Sequence, residues 1–308
     1  MTTSSVPGKI ILFGEHAVVY GRPALAVPVT QVHVDVEILD SARAGIWIKA
    51  PAVDLNAEIK SLPSNHPIAA VIQKFFHTFG VDPFPALRIK IASSIPVASG
   101  LGSGAAISVA LIRALASHLN YTVTDEEVSS LAYEIEKIHH GTPSGIDNTV
   151  VTYAKPVYFI KGHPIETFKV GKPFTVVIGD TGQTAPTKKS VGDVRRLWLR
   201  DTNHFESMFN EIAQIALVAR RAIERGKPDL LGELMNQNHA LLQEMTVSSP
   251  DLDCLVEAAH KAGALGAKLS GGGRGGNMIA LVNPNLAEAV AGSLKEAGAR
   301  NTIITRIA

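Results

Sequence analysis

Three glycine-bearing segments lie far apart in the chain and are the first candidates for chemistry. They cover residues 7–16, 99–106 and 270–276. The middle segment leads directly into a predicted helix, so its backbone N–H groups can point at a ligand without obstruction by Cβ atoms, and the helix N-terminus adds about half a positive charge. This arrangement predicts a phosphate-binding loop. The structural alternative is a plain loop between a strand and a helix.

Two other nucleotide-binding motifs fit the chain poorly. Gly100, Gly102 and Ala105 have the spacing of a dinucleotide-binding fingerprint. That fingerprint follows its strand directly, whereas the preceding strand predicted here ends near Ile91, roughly eight residues earlier. A Walker A loop is also absent, because Gly182 is followed at the required distance by Thr-Lys where Gly-Lys is needed.

The third segment has more glycine than a turn requires. Five of the six residues 271–276 are glycine, and Arg274 is the exception. Such a loop can pack closely beside another glycine loop and its ligand. A tight hairpin between two strands is the alternative, and Arg274 either reaches solvent or lies near phosphate.

A second candidate group combines two carboxylates and a lysine. Glu136 and Asp147 are eleven residues apart (147 − 136 = 11), on either side of a loop that can fold back. One carboxylate could hold Mg²⁺, which prefers oxygen ligands, and the other could accept or orient the proton of an attacking hydroxyl. Lys9, in an otherwise apolar strand, would stabilise phosphoryl charge. The alternatives are a solvated helix position for Glu136, a turn cap for Asp147 and a snorkelling Lys9.

Composition excludes several classes of protein. The 308 residues include 29 Lys and Arg against 28 Asp and Glu, a net charge of +1, so the basic surface typical of nucleic-acid binding is missing. The single cysteine, Cys254, forbids an intrachain disulfide or a multi-cysteine metal site. No secretory signal is evident at residues 1–10, and the apolar stretch 105–119 is too short to span a bilayer. We therefore expect a cytoplasmic protein that binds neither nucleic acid nor membrane.

Hydrophobic periodicity predicts a mixed α/β chain with a soft boundary near 150–180. A capping box, Thr124 with Glu127, predicts one helix start. Other predicted helices cover 67–79, 105–119, 204–225, 228–245, 250–262 and 286–297. Predicted strands cover 9–13, 32–38, 87–91, 157–160, 174–178, 267–270, 278–282 and 302–307.

The three glycine segments resemble, in order, the three conserved motifs of the GHMP kinases, a family that includes galactokinase and homoserine kinase. The most specific stretches are Pro-Gly-Lys-x-x-x-Phe-Gly-Glu-His-Ala-Val-Val-Tyr-Gly at 7–21 and His-Gly-Thr-Pro-Ser-Gly-Ile-Asp-Asn at 140–148. Galactokinases typically continue the first motif with Glu-His-Thr-Asp, where this chain has Glu15-His16-Ala17-Val18. Together the motifs run from Pro7 to Leu281, nearly the whole chain.

The resemblance implies a role for each matching residue. Asp147 and Lys9 match the catalytic pair, and Glu136, with Ser103, matches the Mg²⁺ ligands. The implied substrate contacts are Lys9, His16, Asp147 and Thr184. The implied ATP contacts are Pro96, Ser99, Gly100, Leu101, Gly102, Ser103, Gly104 and Ala105.

The resemblance is incomplete at two places in the sequence. Gly104 stands where the family's phosphate loop usually has a second serine, so Ser103 or water must complete the Mg²⁺ shell. The third motif, whose residues 271–273 are expected to support the phosphate loop, contains Gly272 and Arg274 where the family pattern differs.

The resemblance also implies a fold and an activity. The fold is the two-domain α+β GHMP kinase fold: residues 1–165 form a domain similar to domain 2 of ribosomal protein S5, with a left-handed βαβ unit, and residues 166–308 form a helical and ferredoxin-like domain. The activity is ATP-dependent, Mg²⁺-assisted phosphorylation of the 5-hydroxyl of (R)-mevalonate in isoprenoid synthesis, by a homodimer. Two alternatives stay open: a family kinase for phosphomevalonate or homoserine, and a non-catalytic nucleotide-binding protein of the same fold.

Overall fold

A computed structural model describes residues 1–63, 65–96, 99–140, 143–184 and 187–308, without the side chains of residues 139 and 140. Residues 141 and 142 of the motif at 140–148 therefore lie outside the described residues, and so does the histidine side chain that opens it. Within the described residues, no helix combines the length and the apolar character that crossing a bilayer demands.

The described residues form a mixed α/β structure, as predicted. The strands are β1 (Thr2–Phe13), β2 (Ala24–Asp40), β3 (Ile46–Ala50), β4 (Leu55–Glu58), β5 (Leu87–Ser93), β6 (Val157–Phe159), β7 (Glu166–Thr167), β8 (Phe174–Asp180), β9 (Gly266–Ser270), β10 (Asn277–Val282) and β11 (Asn301–Ile307). The α-helices are α1 (Pro67–Phe79), α2 (Ser103–His118), α3 (Asp125–His140), α4 (Ile146–Tyr153), α5 (Thr187–Arg200), α6 (Thr202–Glu224), α7 (Leu231–Glu244), α8 (Pro250–Lys261) and α9 (Ala287–Glu296).

The chain divides into two compact units whose segments alternate in sequence. The first unit contains Met1–Gly8, Val32–Val97 and Gly102–Ala154. The second contains Lys9–Gln31, Ala98–Leu101 and Lys155–Ala308. Strands β1 and β2 each contribute residues to both units. The predicted division at residue 165 stays a prediction.

In the first unit, β5 pairs with β2 in antiparallel and with β3 in parallel orientation, and β4 extends the sheet from β3. The predicted alternation is confirmed, because Val34, Val36 and Ile38 on β2 are buried, and so are the alternating β5 residues Leu87, Ile89 and Ile91. Helices α1 to α4 pack against one another. The capping box is also confirmed: Glu127 N donates to Thr124 Oγ1 at 3.2 Å, and Thr124 N donates to Glu127 Oε2 at 2.7 Å.

In the second unit, four antiparallel strands form a sheet in the order β11-β8-β10-β9. With α8 and α9, which pack against the sheet and against each other, this is the β-α-β-β-α-β arrangement of a ferredoxin-like domain, with further helices between β8 and α8. Its core contains Phe209, Leu242, Leu269, Val290 and other buried apolar residues from the sheet and helices. The third glycine segment is the loop between β9 and β10.

Several predicted boundaries were wrong. Helix α2 begins at Ser103 instead of Ala105, since Gly102 in a left-handed conformation starts the helix earlier. The segment at Pro228 is a short 3-10 turn, and α7 begins only at Leu231. Strand β1 begins at Thr2 instead of Lys9.

Candidate active site

The predicted phosphate loop, residues 99–105, leads into the first turn of α2. Gly100 and Gly102 have φ angles of 79° and 78°, which glycine adopts without steric cost. The buried side chain of Leu101 anchors the loop, and Lys9 N donates to Leu101 O at 2.9 Å. Because the first N–H groups of a helix have no partner inside it, the start of α2 presents donors beside these glycines. The local geometry is that of an anion-binding loop.

The third glycine segment, residues 270–276, and the following Asn277 contact the part of this loop that belongs to the second unit. Asn277 Nδ2 donates to Ser99 O, and a side chain at Gly276 would lie 3.7 Å from the same oxygen. Residues 276 and 277 thus contact the loop, and support from residues 271–273 stays a prediction. Gly276 N also donates to Gln183 O at 3.0 Å, which connects the segment to the end of β8.

Glu136, the predicted Mg²⁺ ligand, lies beside the start of α2. It is on α3 and only 8% exposed, so the alternative of a solvated helix position is wrong. A methyl group at Gly104 would lie 3.4 Å from Glu136 Oε1, which places the carboxylate at the first turn of α2. Ser103 lies in the same turn and is partly buried. Among the described residues, no three His, Cys, Asp or Glu side chains cluster to hold a metal ion, so an ion here would need Ser, phosphate or water oxygens as well.

Asp147 lies in the first turn of α4, which is fixed to α3. Gly145, with φ 95°, precedes the helix, and Thr149 Oγ1 donates to Gly145 O at 2.7 Å. Asn148 Nδ2 donates to Ser129 O at 3.1 Å and to Ser129 Oγ at 2.9 Å. Helix α3 therefore carries Glu136 and also positions the helix that carries Asp147.

Lys9 lies in β1, two residues before Ile11, in a segment of buried residues. It is 3% exposed, which argues against a side chain that only reaches for solvent. Its backbone bond to Leu101 places it next to the phosphate loop in the second unit.

His16 is buried and neutral. Its φ is 61°, and its Nε2 atom lies 3.1 Å from Gly272 O. A carbonyl oxygen only accepts, so Nε2 carries the proton and Nδ1 is left as an acceptor. Burial lowers the pKa of His16 to about 4, with the positive charge of Arg274 lowering it further and the Gly272 carbonyl opposing both. His16 can therefore serve as a neutral hydrogen-bonding group.

Arg274 is held by protein atoms. Its Nε donates to Thr246 O at 3.2 Å, its Nη1 pairs with Asp193 on α5, and its backbone N donates to Val247 O at 2.8 Å. The sequence suggested that Arg274 either reaches solvent or lies near phosphate, and neither alternative included this role. Arg274 joins the third glycine segment to α5.

Thr184 is exposed, three residues before α5 begins, and Pro96 is partly buried. Thr184 directly follows Gln183, whose carbonyl oxygen accepts a hydrogen bond from Gly276 N of the third glycine segment.

Sequence reasoning missed one buried ion pair in the second unit. Lys268 Nζ, on β9, donates to Glu15 Oε1, and both side chains are fully buried. One signal was available, because Lys268 interrupts an apolar strand just as Lys9 does. Its partner lies 253 residues away (268 − 15 = 253), so no local pattern could reveal the pairing.

Two family models match this chain. The model described as GHMP kinases N terminal domain matches residues 66–155, and that described as GHMP kinases C terminal matches residues 219–300. The chain is also 36% identical to a mevalonate kinase of Pyrococcus abyssi, with 100% of this chain and 96% of the relative covered. The chain therefore belongs to the GHMP kinase family, and the expected two-domain fold is confirmed.

Further relatives within this family are also mevalonate kinases. The chain is 30% identical to that of Methanocaldococcus jannaschii over 90% of both proteins. A solved structure of L. major mevalonate kinase in complex with R-mevalonate matches with a TM-score of 0.87 and 30% identity, covering 100% of this chain and 96% of that one. A phosphomevalonate kinase of Streptococcus pneumoniae matches with a TM-score of 0.84 but 19% identity, which shows the fold alone.

Proposed function

We propose that this chain transfers the γ-phosphoryl group of ATP to the 5-hydroxyl of (R)-mevalonate, giving 5-phosphomevalonate and ADP. One structural observation carries the kinase assignment: the Glu136 carboxylate lies beside the first turn of α2. That turn directly follows Gly100 and Gly102, which have positive φ angles. The acceptor assignment is supported by the mevalonate kinases that match over nearly the full chain.

In this proposal Asp147 and Lys9 serve the acceptor hydroxyl. The hydroxyl oxygen forms a bond to the γ-phosphorus, the bond from that phosphorus to the β,γ-bridging oxygen breaks, and the hydroxyl proton passes to the Asp147 carboxylate. The Lys9 ammonium group offsets the negative charge that develops on the transferred group. Positioning and electrostatics supply most of the rate in such transfers.

The phosphates of ATP would be held by backbone N–H groups of residues 99–105, with Pro96 at the edge of the site. Glu136 and Ser103 suit Mg²⁺, since a buried carboxylate and a hydroxyl are oxygen ligands and Gly104 leaves room beside them. When bound there, Mg²⁺ would neutralise phosphate charge.

His16 and Thr184 would contact the acceptor. His16 is neutral, so its role would be to accept a hydrogen bond from a substrate hydroxyl through Nδ1. It would not pair as a cation with the carboxylate of mevalonate. The exposed Thr184 hydroxyl offers a second polar contact.

ADP release with a panel of acceptors tests the proposal. Purified protein with ATP and Mg²⁺ should release ADP with mevalonate and not with phosphomevalonate, homoserine or galactose. Turnover of another member of the panel without turnover of mevalonate would refute the acceptor assignment. No turnover with any of them, together with tight ATP binding, would favour the non-catalytic alternative.

The role of Asp147 needs a matched pair of variants. Asp147→Asn should lower kcat by about 10³-fold or more while ATP still binds, because the proton acceptor is lost. Asp251→Asn is the control, since Asp251 also lies in the first turn of a helix, α8, and is exposed. Similar kcat values for the two variants would exclude Asp147 from the chemistry.

We further propose a cytoplasmic homodimer with a domain division near residue 165. The two family models lie on either side of that residue. The one cysteine excludes an intrachain disulfide, which suits a reducing compartment. Light scattering of the purified chain would give its oligomeric state directly.

A further inference from the structure

The Glu15–Lys268 pair joins the first glycine motif to β9. Lys268 Nζ donates to Glu15 Oε1 and, at 2.6 Å, to Leu269 O. Both side chains are 0% exposed. Burial raises the pKa of Glu15, whereas Lys268 and the backbone N–H groups of Glu15 and Gly271 lower it, so the carboxylate depends on these few protein partners in place of water. The two charges therefore depend on each other in a dry environment.

This pair is one of three connections between the same two segments. Ser270 Oγ donates to Ile11 O at 2.8 Å and accepts from Ile11 N at 3.2 Å. His16 donates to Gly272 O. Residues 11–16 are thus joined to residues 268–272 at three positions. Within the first of these segments, Glu15 lies between Ile11 and His16, the other two residues that make the contacts.

Stability alone is a poor reason for such a pair. Moving two charges out of water costs as much as their attraction returns, and apolar side chains of similar volume often serve as well or better. A geometric role explains its presence better.

The backbone around Glu15 needs to be held in place. Gly14 has φ 98°, and a side chain there would lie 2.4 Å from Ala24 Cα. His16 has φ 61°, which a non-glycine residue adopts only when its surroundings impose it. Glu15 lies between these two residues and is the only charged side chain in the turn.

We propose that Glu15 and Lys268 are positioning residues that fix the His16 imidazole for the acceptor substrate. This rests on the proposed function, in which His16 contacts that substrate. The pair acts on the reaction through His16 and does not touch the reacting atoms.

The test replaces both charges at once, because a single replacement would leave one buried charge unpaired. Glu15→Met with Lys268→Met keeps side-chain length and removes the charges. The folded double variant should raise the KM for mevalonate by about tenfold or more and leave the KM for ATP within about twofold. Glu257→Gln with Lys261→Met removes an exposed pair on α8, with side chains 70% and 79% exposed, and should change neither.

A second readout is independent of turnover. In ¹⁵N NMR spectra the His16 ring of the wild type should be a single Nε2–H tautomer, and in the double variant a mixture of tautomers. A folded double variant with the wild-type KM for mevalonate and a single tautomer would overturn the proposal. A wild type that shows the single tautomer but no turnover of mevalonate would instead refute the proposed function.

A conservative variant covers the case in which the double variant does not fold. Glu15→Asp keeps both charges and shortens the side chain by one methylene, so the fold is retained while the turn shifts towards β9. The KM for mevalonate should rise severalfold at an unchanged KM for ATP. A wild-type KM for mevalonate in this variant would also contradict a positioning role.

Discussion

The phosphate loop and the third glycine segment have similar compositions, but their glycines serve opposite needs. In the predicted phosphate loop, the described residues place only Asn277 Nδ2 near a side chain at Gly100, at 3.7 Å, and only Glu136 Oε1 near one at Gly104, at 3.4 Å. In the third segment, a side chain at Gly273 would lie 1.9 Å from Val247 O, and one at Gly275 would lie 2.8 Å from Gln183 O. Among the described residues, protein atoms approach the glycines of the first loop less closely than those of the second, as the proposed ATP site requires.

This difference separates two meanings of a glycine-rich loop. Open space above positive-φ glycines marks a place for a ligand, and close backbone contact marks a packing junction. The junction here meets the Val247 loop, the end of β8 and His16, so it positions the neighbours of the site. Four variants or conditions would test the contrast.

The largest expected effect is at the packing junction. Gly273→Ala should lower the free energy of unfolding by about 4 kcal/mol or more, because the methyl group collides with Val247 O at a φ of 71°. Urea unfolding measures this loss. Gly271→Ala is the control in the same loop, since φ there is 94° but no atom of the described part of the chain lies within 4 Å of the added carbon, and it should lose about 1 to 2 kcal/mol. Equal losses would mean that contact does not distinguish these glycines.

A substitution beside the predicted phosphate loop should lower the activity and leave the stability nearly unchanged. Glu136→Gln should lower kcat/KM by about 10²- to 10³-fold and raise the Mg²⁺ concentration needed for half-maximal rate by about tenfold or more, because one metal-binding charge is removed. Its urea midpoint should stay close to that of the wild type. An unchanged Mg²⁺ requirement would contradict the role of Glu136.

Acid should weaken the junction through His16. Its pKa falls from 6.5 to about 4 on folding, mainly through burial. Between these values the unfolded chain binds more protons, so stability is complete above pH 6.5 and decreases as the pH falls towards 4, by up to about 3 kcal/mol. Urea unfolding at pH 7.5 and pH 4.5 measures the decrease. His16→Gln should reduce it, and an identical decrease in the variant would disprove the contribution of His16.

The smallest effect is expected at Gly104. This residue is helical and exposed, and an added methyl group makes an ordinary 3.4 Å contact with Glu136 Oε1. Gly104→Ala should therefore raise the free energy of unfolding by about 0.5 to 1 kcal/mol, since alanine favours the helix. Thermal unfolding tests this. A clear loss of stability would show that position 104 is closely packed, as position 273 is, and that the two glycine loops do not differ in this way.

Local signals predicted the regular elements well. Helix α1 has the predicted bounds, because Pro67 opens it and Gly80, with φ 64°, ends it. The alternating strands of the first unit were found for the same reason: one buried face gives a period of two. These features depend only on neighbouring residues.

The missed elements lacked such signals. Helix α5 has a short apolar face, in which Val194 is buried and Leu197 and Trp198 pack partly buried against the core, but basic residues at 188, 189, 195 and 196 interrupt the apolar pattern in the sequence. Strand β2 runs through Pro28, which normally argues against a strand. The start of β1 is a run of Thr and Ser residues without apolar alternation.

The candidate site was predicted as a set of residues and not as contacts. The glycine motifs indicated where phosphate and metal chemistry would lie, and the burial of Lys9 and Glu136 fits that interpretation. The Glu15–Lys268 pair, the Asn277 bond to Ser99 and the Arg274–Asp193 pair all join residues more than 80 positions apart, with sequence separations of 253, 178 and 81. Such pairings depend on the tertiary fold, so a single sequence does not contain them.

The alternation of the two units along the chain has a consequence for inheritance. Each unit consists of three segments, so the chain passes between them five times (3 + 3 − 1 = 5), once inside β1 between Gly8 and Lys9. No single break in the gene would separate one unit from the other. A single recombination event therefore cannot exchange either unit as one continuous block of sequence, so the two units are inherited together.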